Sequence, residues 1–182
     1  MNLEELSQIT ELKLLGMGQA LPHILQSISK TKQSILIVGP WLDSYFTGKI
    51  INSLTAPEIK LRFIVRIDGD DPIDVKTLSA LNLAREKIKN FQARTLPNLH
   101  SKVILIDQEI FYMGSTNWYW YSLHESLEVT LTGETSIIPD IITQMNSYWD
   151  KATPLTLDDL KDYHDLEPIM KDINGWFLSK DR

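Results

Sequence analysis

The sequence predicts a mixed α/β fold, a β-sheet flanked by helices in a single domain. Three observations predict it. Short β-rich runs alternate with segments of helical spacing, ending in a hairpin and then helices. One early run is apolar on both faces, as a buried central strand must be. The chain has 182 residues, 43% hydrophobic and 9% aromatic, which is about one domain with a real core. No repeat, low-complexity segment or linker divides it, so residues 1–182 are read as one domain, with a core over about 25–150 and helical extensions at both ends.

The elements follow in chain order. Leu3, Leu6, Ile9 and Leu12 have helical spacing. After Gly16, Gly18 and Pro22, the residues Ile24, Leu25 and Ile28 predict a second helix. Ser34 to Val38 is the two-sided apolar strand, stopped by Gly39-Pro40, with a helix expected over 45–54. Residues 60–67 form the next strand, closed by the turn cluster Asp68-Gly-Asp-Asp-Pro72. Leu78, Leu81, Leu83 and Ile88 place a helix in 73–90, followed by a short strand at 91–96. Ser101–Asp107 and Ile110–Gly114 read as a hairpin, and 127–132 as one more strand. The tail, 136–180, reads as helices with Trp149 and Trp176 as core anchors.

Composition excludes several classes. There is no cysteine, hence no disulfide, thiolate metal site or cysteine nucleophile. No apolar stretch approaches the length of a transmembrane helix, so no integral membrane association is expected. The acidic start, Met-Asn-Leu-Glu-Glu, is unlike a signal peptide, and the expected compartment is the cytoplasm. The net charge of −6 is unevenly spread. Residues 60–102 hold nine basic against five acidic side chains, and 103–182 hold five against fourteen. Such a distribution suits either a local anion focus or plain solvated faces. Arg62, Arg66, Arg85, Lys87, Lys89 and Arg94 are the residues from which a nucleic-acid track would be built.

Chemistry concentrates between Leu99 and Asn117. On a strand, positions i and i+2 share a face, so His100 and Lys102 are expected to project together, an imidazole beside a fixed ammonium. Gly114-Ser-Thr-Asn117, ending the next strand, offers a hydroxyl, a carboxamide and backbone N–H donors suited to phosphate. Glu128 is expected on one strand face with Ser126, placed to accept from one imidazole nitrogen and fix its tautomer. Asp107 opens a turn on the opposite face, which suggests an Asx-turn or salt bridge rather than chemistry. The run Trp118-Tyr-Trp-Tyr121 suits core packing, an interface or base stacking, and Trp118 and Ser126 are possible substrate contacts. His124 and Glu128 are spaced i, i+4, but a loop running into a strand would not hold a metal with them.

The spacing His100-x-Lys102-x4-Asp107-x6-Gly114-Ser115-x-Asn117 resembles the signature of the phospholipase D superfamily, and Ile35 to Asp43 resembles the first strand of its domains. Ser126 stands where that family more often has Asn. The resemblance implies a phospholipase D-like fold and phosphodiester transfer without metal or cofactor. In that scheme one histidine forms a phosphohistidine and a second acts as acid, then base. His100 and Lys102 would be catalytic with Glu128; Lys102, Ser115 and Asn117 would bind phosphate; Asp107 and Gly114 would be structural. His23, His124 and His164 lack the accompanying lysine, so the chain supplies one motif, and the resemblance implies a homodimer whose two copies of His100 meet. The expected activity is that of a nuclease on DNA or RNA. The alternatives are a lipid phosphodiesterase or phosphatidyl transferase, or a catalytically silent sensor or nucleic-acid-binding module of the same fold.

Overall fold

The structure, a computed structural model, describes residues 12–56, 58–69, 73–156 and 159–160. The described chain runs β1 (Lys13–Leu15), α1 (Ala20–Ile28), β2 (Ser34–Val38), α2 (Ser44–Ser53), β3 (Lys60–Val65), α3 (Val75–Lys87), β4 (Phe91–Thr95), β5 (Val103–Ile106), β6 (Ile110–Gly114), α4 (Trp120–His124), β7 (Thr130–Glu134), α5 (Asp140–Lys151) and β8 (Thr153–Pro154). All eight strands form one mixed sheet in the order β1-β7-β6-β5-β2-β3-β4-β8. The pairs β2–β3 and β3–β4 are parallel, and every other pair is antiparallel.

The two-sided apolar pattern of β2 has a direct cause. Ile35 and Ile37 face a core shared with Ile24 of α1, Phe46 and Ile50 of α2 and Leu81 of α3. Leu36 and Val38 face a second core with Ile141 and Met145 of α5. A strand covered on both faces cannot alternate apolar with polar.

Several expectations are corrected. The helical spacing through Leu12 falls mostly outside the described residues, and just after it Lys13–Leu15 forms an edge strand against β7. Three residues fixed only by a distant partner carry no local signal. The second helix begins at Ala20, after the glycines. The last predicted strand starts three residues late, at Thr130. Leu127 and Val129, within the predicted strand, are exposed, because pairing with β6 begins only at Gly114↔Thr130. The segment 120–124 is a short helix that local periodicity did not mark. Trp149 packs against the second core, and Trp176 lies outside the described residues.

Asp43 and Asp107 stitch the fold together. Asp43 caps α2 through Phe46 N (2.8 Å), and its other oxygen accepts from Trp120 N (2.8 Å), setting the start of α4. Asp107, with φ +52°, accepts from the backbone N–H groups of Lys32, Gln33 and Ser34 at 2.8–2.9 Å. Those bonds fasten the β5–β6 turn to the approach to β2, at the opposite end of β5 from His100. They hold the Asp107 carboxyl below its ordinary range despite burial, which by itself would raise it.

Candidate active site

Strand order brings the polar residues together. Val38 pairs with Val103, Val103 with Met113, and Gly114 with Thr130. The end of β2, the start of β5, the end of β6 and the start of β7 therefore lie along one sheet edge. His100, Lys102, Ser115, Asn117 and Glu128 all sit in the irregular segments that leave this edge.

His100 and Lys102 meet, although by a different route from the one expected. Residues 100–102 precede β5 and are not part of it. Lys102 bends back on its own segment: Nζ donates to the His100 carbonyl at 2.8 Å and lies 3.2 Å from both ring nitrogens. His100 is exposed, while Lys102 is only 5% exposed. Burial pushes the Lys102 pKa below the ordinary lysine value, and the charge of Glu128 offsets part of that. The loop before them is braced by Asp68, which is paired with Arg66 and accepts from Asn98 N at 2.6 Å.

Glu128 does not reach the imidazole as expected. Its Oε2 accepts from the Ser115 hydroxyl, and its Oε1 from Ser122 (3.0 Å) and Ser126 (3.2 Å). Burial would raise its pKa, but the three hydroxyls and Lys102 outweigh that and keep it ionised below the usual carboxylate range. Glu128 is thus the anchor of a hydroxyl cluster that also takes up Ser126. Ser122, which sequence reasoning missed, additionally accepts from Asn117 N at 3.1 Å. Asn117 Oδ1 is buried without a partner among the described residues.

Gly114 is required here by close approach: a Cβ on it would overlap the Val129 carbonyl oxygen. That contact lets Ser115 N bond Val129 O (3.1 Å) and brings Glu128 against Ser115. Trp118 is fully buried, stacked on Phe46 at 5.5 Å, with Nε1 donating to Val38 O at 2.8 Å. A buried indole offers no face to a substrate, so the contact considered for Trp118 is withdrawn. The exposed rings near this edge are Trp41, Tyr45, Trp120 and Tyr121.

Four of the six basic residues considered for a track have ion-pair or ring partners within the fold. Arg66 is paired with Asp68, Lys89 with Glu58, and Arg62 and Arg94 lie over the ring of Trp149. Arg94 donates to the Trp149 carbonyl at 2.7 Å, near the C-terminus of α5. His124 stands against Tyr45 and Trp120, and no group of metal-ligating side chains is formed among the described residues.

Residues 24–152 match the family described as cardiolipin synthase, PLD-like domain. The chain belongs to this phospholipase D-like family. A cardiolipin synthase A from Pseudomonas entomophila is 26% identical over 150 residues, which is 80% of this chain and 31% of that protein. The chain therefore spans about a third of the length of that relative. Among solved structures, NucT from Helicobacter pylori superposes with a TM-score of 0.69 at 19% identity, covering 80% of this chain and 99% of that one. Nuc from Salmonella typhimurium, a phospholipase D family member, gives 0.66 at 15%, covering 80% and 98%. At these identities the likeness carries the fold, and the fold is the phospholipase D-like one expected.

Proposed function

We propose that the chain is a metal-independent phosphodiesterase acting on nucleic acid, with an active site completed by a second copy of itself. The observation that carries this reading is the buried Lys102 ammonium held against the exposed His100 ring. It places a fixed positive charge beside a nucleophile, where a phosphoryl oxygen would gather negative charge.

A nitrogen of neutral His100 attacks phosphorus, forming an N–P bond while the P–O bond to the leaving group breaks. The leaving oxygen takes a proton from the imidazolium of the second copy. That imidazole, now neutral, removes a proton from water as the water oxygen attacks phosphorus. The N–P bond breaks and returns the electron pair to His100. The two imidazoles start in opposite protonation states, as a coupled pair can.

Two features support assembly from two copies. The chain has one such motif. Beside the site, Leu127 is 92% exposed, Tyr121 58% and Val129 50%, an apolar group flanking Glu128 that a second copy would cover. The names of the curated relatives favour a second reading, a lipid phosphodiesterase, and one assay decides between them. Cleavage of single-stranded oligonucleotides to shorter strands with phosphomonoester ends is expected, and no phosphatidic acid from phosphatidylglycerol vesicles at equal phosphate concentration; the reverse result would establish the lipid reading.

The depressed pKa of Lys102 adds a pH prediction. Activity needs the ammonium, so it is lost as pH rises through the folded-state pKa. The alkaline limb of kcat/KM for bis(4-nitrophenyl) phosphate is expected below the pH at which an ordinary lysine titrates. Lys102→Arg, which stays charged, should remove the lysine from that limb and leave only the fall set by the imidazolium acid. A limb at or above the ordinary lysine position, or one unchanged in Lys102→Arg, would remove Lys102 from the step.

A further inference from the structure

His100 lines one open recess and meets a ring that lines another. One, of about 520 Å3, runs from His100 to Tyr148 and Lys151 of α5. The other, of about 260 Å3, is bounded by Trp41, Leu42, Asp74, Lys76 and Tyr119. Trp41 links the second recess to the reacting group: it lines the recess, and its indole meets the His100 ring edge to face, 6.4 Å between centroids and 87° between planes. Leu42, Phe46 and Trp118 fill the core, whereas Trp41 remains 39% exposed.

We propose that the recess bounded by Trp41 is a nucleobase subsite, in which the base next to the reacting phosphate stacks on the indole. The proposal rests on the nucleic-acid reading above and assigns one of its specificity determinants. The chemistry of the rim selects the occupant. Asp74 Oδ2 is engaged by Thr77 N and Oγ1 at 2.9 and 3.0 Å, and Oδ1 has no partner among the described residues. Lys76 is exposed and forms no ion pair among the described residues. A heteroaromatic ring puts an apolar face on Trp41 and donors and acceptors at its edge, toward Asp74, Lys76 and the Tyr119 ring. An acyl chain would cover the same polar groups without bonding them, which is costly. The recess that His100 itself lines, with Lys151 and Tyr148, gives a strand a second way out, as a polymer cleaved internally requires.

The test separates this subsite from the nuclease reading. Fluorescein-labelled single strands of about ten nucleotides, one normal and one with abasic sugars throughout, carry the same phosphates. Their binding is measured by anisotropy in a His100→Ala background, so that turnover plays no part. The normal strand should bind about tenfold tighter than the abasic one. Adding Trp41→Ala should remove that advantage and leave abasic binding unchanged, and Trp41→Phe should restore most of it. Equal weakening of both strands by Trp41→Ala, or weakening of neither, overturns the subsite. Cleavage is scored separately with His100 intact. Base-dependent binding without cleavage keeps the subsite and ends the nuclease reading; cleavage without base dependence does the opposite. Absence of both binding and cleavage ends both.

Discussion

His100→Ala is expected to lower hydrolysis of bis(4-nitrophenyl) phosphate by at least about 10⁴-fold, while the unaltered protein keeps its full rate in excess EDTA. The size of the loss follows from the proposed assembly, because one substitution removes both the nucleophile and the acid of every complete site. His100 is exposed and carries no core packing, so the fold should survive, which circular dichroism checks. Quenching into alkaline denaturant during turnover should trap a phosphoryl adduct on the ring of His100, and acid should release it. Activity that disappears with EDTA and returns with a divalent cation would show that phosphorus is handled in another way.

Mixing the inactive variant with active protein gives the second large effect. If each complete site takes one imidazole from each copy, a hybrid of active and His100→Ala chains contains no complete site. Exchanging active chains into about a tenfold excess of His100→Ala should then lower the rate per active chain by about tenfold, by mass action alone. Sites contained in one chain would show no loss. Leu127→Asp provides a control of different origin: a carboxylate in the apolar group beside Glu128 should weaken the dimer, and dilution should then reduce its rate more steeply than that of the parent protein. A parent rate per chain that is constant down to concentrations where the species is monomeric would contradict a shared site.

Legibility differed from one residue to the next for physical reasons. The strand Ser34–Val38 and the helix around Leu78 and Leu81 were legible because their patterns reflect burial along a few consecutive residues. Lys13–Leu15 was not, since only pairing with Thr130–Thr132 makes it a strand. The pairing of His100 with Lys102 was anticipated from strand geometry, yet it is made by a lysine folding back onto the His100 carbonyl. Glu128 was expected to accept from the imidazole, but its partners are Ser115, Ser122 and Ser126, and they depend on Gly114 letting two backbones touch. Trp118 was expected as a possible substrate contact, and Trp41 was assigned no role. The tryptophan inside the marked aromatic run is buried, and the one following Gly39-Pro40 stands beside His100.

The amino-acid sequence alone determined the fold class, the motif spacing and the single copy of that motif, because each is written in residues close along the chain or in their number. Tertiary structure decided which groups share a space. The antiparallel return of β5 beside β2, and of β7 beside β6, carries residues 41, 100, 115 and 128 to one edge of the sheet. Distances of that kind are set by long-range pairing and by which face of the sheet each helix covers, and no local pattern contains them.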